Sequence, residues 1–187
     1  MSIYDMKYRT KTYLAGDWTG DEELIKKIKE WNKDNNLGLT FTDVHELTSS
    51  SDSSLNCSIK SSLRIRLSIC KTFVLIVGKK TRNLRSGACY LCANYRNNSW
   101  LPYCANSSYK HIDNRSFVDF ECDIAFKDYN DGKLKNIVVI YNGLEKPDKR
   151  LCPDSLKDVG IHIGSDIISS KGEIYWNYDE IKNAICK

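Results

Sequence analysis

The chain lacks most of the signatures that mark common ligand-binding folds. Its 187 residues contain no G-x-G-x-x-G after a strand and no G-x-x-x-x-G-K-[ST], so neither a Rossmann dinucleotide fingerprint nor a P-loop is present. G-x-S-x-G is absent too, which argues against an α/β-hydrolase. No apolar stretch approaches the roughly 20 residues of a membrane-spanning helix. The polar start, Met1-Ser-Ile-Tyr-Asp-Met-Lys-Tyr-Arg9, has no run of signal-peptide length, so a cytoplasmic location is expected. The net charge is only +4, so nothing in the composition demands nucleic acid or an anionic membrane as partner.

What is present reads as an ordinary globular chain, with 41% hydrophobic and 28% charged residues, long enough for one domain spanning 1–187 with a substantial core. Lys11-Thr-Tyr-Leu-Ala15, ended by Gly16, reads as a first strand. Acidic Asp21, Glu22 and Glu23 then suit a helix start, and Leu24, Ile25, Ile28 and Trp31 fall at helical spacing, predicting a helix over about 21–34. Leu39 to Val44 alternates as a second strand. Asp52 and Ser54 are placed either to cap the next helix or to meet a phosphate or ribose. Leu55, Ile59, Leu63 and Leu67 give that helix a buried stripe. Thr72-Phe-Val-Leu-Ile-Val77, closed by Gly78, is a continuous apolar run of the kind found in strands covered on both faces. An irregular insertion at about 79–115 precedes a helix through Ser116–Ala125 and a strand at Ile137–Tyr141. A weaker strand at Val159–Ile163 and a closing helix over about 179–186 complete the pattern. Alternating β and α elements predict a doubly wound α/β sheet with helices on both faces. Ligands of such sheets sit beyond the carboxyl ends of the strands, where strand order reverses. That rim would comprise Gly16-Asp17-Trp18, Asp43 and His45, the loop after Val77, and the start of the helix bearing Glu121.

Glu121 follows the aromatic Phe117 by one helical turn and shares its face. A carboxyl beside an apolar ring suits acid/base work or stabilisation of a cation; the alternative is a solvated glutamate on a helix edge. At the first rim loop, Gly16 would allow close backbone approach, Asp17 would accept ribose hydroxyls, and Trp18 would stack on a planar base or simply pack in the core. Asp43 and His45 would line the same rim, although a histidine after a strand also serves structure. Lys79, Lys80, Arg82 and Arg85 would attract a diphosphate or remain solvated.

Eight cysteines divide into two groups. Cys57, Cys70, Cys122, Cys152 and Cys186 lie singly and read as small core residues. Cys89-x2-Cys92-x11-Cys104-x6-His111 is a tetrahedral ligand set for a structural Zn²⁺, with Cys89 and Cys92 its strong half and His111 replaceable by another donor. Zinc would offset the entropy of ordering an insertion too polar to build its own core. Disulfides or unligated thiols are the alternatives.

Five pieces in order, Tyr13-Leu-Ala-Gly-Asp-Trp18, Phe41-Thr-Asp-Val-His45, Asp52-Ser-Ser-Leu-Asn-Cys-Ser-Ile59, Lys71-Thr-Phe-Val-Leu-Ile-Val-Gly78 and Phe120-Glu-Cys-Asp-Ile-Ala125, resemble TIR-like proteins. The nearest group is the TIR-like component of bacterial Thoeris anti-phage systems, and the resemblance spans about 10–143. It implies a flavodoxin-like fold and cleavage of NAD⁺ to nicotinamide and an ADP-ribose derivative, often a cyclic signal that activates a separate effector. It places the catalytic carboxylate at Glu121, with Phe117 where tryptophan is usual. It further implies self-association and a phage-derived trigger. Two other functions fit parts of the chain. One is a non-enzymatic TIR-like interaction module. The other is a nucleoside 2-deoxyribosyltransferase-like enzyme, which Tyr13-Leu-Ala-Gly16 also resembles and in which a glutamate acts as nucleophile.

Overall fold

The computed structural model describes residues 9–17, 20–42, 55–97, 102–105 and 112–187. Its elements run β1 (Lys11–Ala15), α1 (Glu22–Asp34), β2 (Phe41–Thr42), α2 (Asn56–Leu67), β3 (Cys70–Val77), β4 (Tyr95–Arg96), β5 (Tyr103–Cys104), α3 (Phe117–Asn130), β6 (Asn136–Tyr141), β7 (Ile161–Gly164), β8 (Asp166–Ile168), β9 (Ile174–Trp176) and α4 (Tyr178–Cys186). Five strands form one parallel sheet in the order β2-β1-β3-β6-β7, the flavodoxin-like doubly wound arrangement.

Successive side chains of a strand point to opposite faces, and here both faces are covered. Tyr13, Ala15, Phe73, Leu75, Val77, Ile137, Val139 and Tyr141 meet Leu63 and Leu67 of α2 and Val118, Phe120, Cys122 and Ala125 of α3. Leu14, Val74, Ile76, Val138, Ile140 and Ile163 meet Leu24, Ile25 and Ile28 of α1 and Ile181, Ala184 and Ile185 of α4. Two-sided burial explains why β3 and β6 read as unbroken apolar runs.

Each helix start has its own chemistry. Ser116 caps α3: its hydroxyl accepts from the Asp119 amide at 3.0 Å and donates to the Asp119 carboxylate at 2.7 Å. Leu55, expected within the α2 stripe, instead stands at the N-cap in extended backbone with no side-chain cap. Lys60 joins Leu63 and Leu67 as a buried residue of that helix. Asp52 and Ser54 lie outside the described residues. Among the described residues no helix is long and apolar enough to cross a membrane.

Candidate functional site

From β1 the chain winds out to β2 at one edge, and from β3 it winds to β6 and β7 at the other. Where the two directions part, the carboxyl ends of β1, β3 and β6 open a cleft of about 300 Å³. Its described lining is Asp17, Gly20 and Asp21 after β1, Gly78 to Thr81 after β3, and Asn142 with Gly143 after β6.

Asp21 organises this cleft. Its sequence position suggests a helix cap, yet its side chain makes no capping bond to α1. The carboxylate instead accepts from Asn142 Nδ2 at 2.8 Å and from the Asp17 amide at 3.2 Å, and the residue is only 1% exposed. Burial pushes its pKa above the ordinary aspartate value, against the opposing pull of these two hydrogen bonds. Gly78 is required beside it, because a Cβ there would lie 2.5 Å from Asp21 Oδ1. The Thr81 hydroxyl accepts from the Gly78 amide at 2.8 Å and fixes the turn after β3. Lys79 and Lys80 stand exposed on the cleft wall. Arg82 turns away to Asp154, at 2.8 Å, and to the Arg150 carbonyl, while Arg85 bonds the Leu84 carbonyl; neither lines the cleft. Gly16 has a packing role, since a Cβ would approach Ile76 Cβ to 3.2 Å.

Glu121 is not the solvated helix-edge residue that one sequence alternative allows. It is 3% exposed and sits on the α2/α3 face of the sheet, where the Tyr13 hydroxyl donates to its Oε1 at 2.5 Å. Burial raises the Glu121 pKa to about 8, against the lowering effect of the Tyr13 bond. Tyr13 is itself fully buried, stacked on Phe73 with ring centroids 5.6 Å apart. Phe117, one turn before Glu121, packs on the insertion: a Cβ on Gly87, whose φ is +96°, would lie 2.6 Å from its ring. Glu121 and Phe117 do not line the switch-point cleft, whereas Asp17 does. The predicted site is therefore split between two places. Trp18, Asp43, His45 and His111 lie outside the described residues.

The cysteine-rich insertion forms a third locus. Cys89, Cys92 and Cys104 line a pocket of about 30 Å³ together with Asn56, Cys57, Tyr95 and Ile112. Cys57, expected as a core residue, is exposed at the first turn of α2 and lies against this group, and Cys186 is exposed as well. Cys70, Cys122 and Cys152 are buried as expected, and all eight thiols are unpaired. Among the described residues no group of three or more His, Cys, Asp or Glu side chains is placed to hold a metal ion.

Sequence reasoning missed Tyr13, Asp21, Thr81, Asn142 and Cys57 as site residues. Only Asp21 carried a usable signal, a second carboxylate one helical turn after Asp17. No protein-family model matches the chain, and no curated protein matches it significantly.

Proposed function

We propose that this protein is a TIR-like enzyme that cleaves the nicotinamide–ribose bond of NAD⁺, yielding nicotinamide and an ADP-ribose-derived, cyclic nucleotide that serves as a signal in anti-phage defence. The observation that carries this reading is Glu121, a carboxyl enclosed in an apolar interior one turn beyond Phe117 and held by the Tyr13 hydroxyl at 2.5 Å. In the reaction the C1′–N bond breaks and its electron pair leaves with nicotinamide, which needs no proton. Positive charge builds on the ribose, and an ionised carboxylate stabilises it. At rest burial holds the Glu121 carboxyl protonated at neutral pH. Relief of that burial, the donor bond from Tyr13 and the pyridinium charge of an arriving substrate together favour the ionised form. An attacking atom of the same molecule replaces water in cyclisation, where proximity gives it the advantage. Lys79 and Lys80 suit the diphosphate and Asp17 a ribose hydroxyl. They line the switch-point cleft and Glu121 does not, so this reading requires the cleft and Glu121 to come onto one substrate on activation. Because Glu121 is enclosed at rest, this reading assigns its exposure to an activating step, namely self-association or a phage-derived trigger. The product would then act on a separate effector.

The enclosure of Glu121 also favours a second reading, a non-enzymatic TIR-like interaction module in which Tyr13 and Glu121 are a buried structural pair. Nicotinamide release by wild type and Glu121→Gln, compared across protein concentrations, separates the two. The enzymatic reading expects release that falls by about 100-fold or more in the variant, with its melting curve preserved. Full release by the variant removes Glu121 from the chemistry. Concentration-dependent assembly without release in either protein supports the module.

A further inference from the structure

We propose that Cys57, Cys89, Cys92 and Cys104 bind one structural Zn²⁺, so that the fourth ligand comes from α2 and the metal fastens the insertion to the core. The four thiols border a single pocket of about 30 Å³, a volume suited to an ion and too small for an organic ligand. They arrive from three chain segments: the first turn of α2, the Cys89–Cys92 turn and the β4–β5 hairpin.

The surrounding hydrogen bonds hold those segments together. Asn56 Nδ2 donates to the Ala88 carbonyl at 3.0 Å, which ties the residue before Cys57 to the residue before Cys89. One turn later, Lys60 Nζ donates to the carbonyls of Asp113, at 3.1 Å, and Arg115, at 2.8 Å. Asp113 in turn pairs with Cys89: the Cys89 amide donates to the Asp113 carbonyl at 3.0 Å, and the Asp113 amide donates to Cys89 Sγ at 3.3 Å. An amide directed at sulfur stabilises a thiolate, the form that binds metal. Cys104 pairs across the hairpin with Tyr95, whose amide donates to the Cys92 carbonyl at 2.9 Å, so Cys92 and Cys104 sit at one end of it. Four thiolates around Zn²⁺ carry a net negative charge. Lys60, paired with the Asp113 carboxylate at 3.3 Å, donates to the same Asp113 carbonyl that receives the Cys89 amide, which brings a cation near the site.

The insertion also needs such a fastening. Its two strands are two residues each, below the size at which a hairpin is stable alone, and Tyr90, Leu91 and Tyr103 are exposed rather than packed. No three of these side chains are placed to hold a metal in the structure described. Zinc–sulfur bonds of about 2.3 Å therefore require all four to turn inward, from an exposed Cys57, half-buried Cys92 and Cys104 and a buried Cys89.

The test is metal analysis of the full-length protein purified under reducing conditions, followed by replacement of zinc with Co²⁺. The expected results are one zinc per chain and the intense sulfur-to-cobalt absorption of a four-thiolate site. Zinc content should fall at least tenfold in Cys57→Ser and persist in His111→Ala and in Cys186→Ser, a control at the other exposed cysteine. Zinc lost in His111→Ala and retained in Cys57→Ser would overturn the assignment of Cys57. A metal-free wild type that fails to take up Co²⁺, whether its thiols are free or paired in disulfides, would overturn the site. The wild-type cobalt spectrum and His111→Ala decide the matter even where Cys57→Ser does not fold.

Discussion

At the scale of single residues, the Tyr13–Glu121 pair sets a pH dependence that can be measured without any substrate. Folding raises the Glu121 pKa from 4.5 to about 8, so between those values the folded protein holds a proton that the unfolded chain has released. Stability from this group is complete below about pH 4.5 and declines as pH rises through about 8, because the unfolded state binds fewer protons across that window. Glu121→Gln keeps an acceptor for the Tyr13 hydroxyl and cannot ionise. Its melting temperature relative to wild type should therefore rise progressively from pH 5 to pH 8.5, and an equal offset at both ends would contradict the buried titration. Glu121 and Phe117 were legible in the sequence because one helical turn relates them. Tyr13 was not, since the bond that makes it matter spans 108 positions and strand β1 presents it merely as an apolar residue. Asp21 was legible only as part of an acidic helix start, because its carboxylate serves Asn142, 121 residues away.

At the scale of elements, the strands covered on both faces were the most legible, because two-sided burial leaves little room for polar residues. Strands β3 and β6 carry that signal directly. The β8–β9 hairpin escaped sequence reading because it does the reverse, displaying isoleucine and tyrosine outward, with Ile174 68% exposed. The α2 stripe was right in period but incomplete, since Lys60 is buried through its bonds to the Asp113 and Arg115 carbonyls. The insertion was legible as an irregular, cysteine-bearing segment. Its contact with α2 was not, because Cys57 lies 32 positions before Cys89 and has no local pattern linking the two. The junction between β3 and α1 gives a prediction at this scale. Gly78→Ala would drive a methyl to 2.5 Å from Asp21 Oδ1, so it should destabilise the protein by about 1–3 kcal/mol in urea titrations. A change within about 0.5 kcal/mol, the range typical of open surface sites, would mean that the Asp21–Gly78 approach is looser than described.

At the scale of the whole molecule, the strand order creates the cleft, and the alternation of side chains assigns Glu121 to the α2/α3 face through Tyr13. The general location of a ligand crevice was thus readable from the order of β and α elements. The division between that crevice and Glu121 depends on three-dimensional placement that no local pattern records. Under the enzymatic reading, Lys79 and Lys80 hold substrate in both ground and transition states. Their joint replacement by alanine should raise KM about tenfold or more with kcat little changed, an effect that weakens at high salt. Loss of kcat with unchanged KM would contradict a role limited to holding the diphosphate.

Under the enzymatic reading, Glu121 supports cleavage of NAD⁺ to a signalling nucleotide. The most direct measurement is NAD⁺ turnover, with products resolved by mass spectrometry, in phage-infected cells expressing wild type or Glu121→Gln at matched levels. Wild type should yield a new ADP-ribose-derived species that disappears in the variant. Protection of the cells by wild type with no such species, or the same species from both proteins, would contradict that reading.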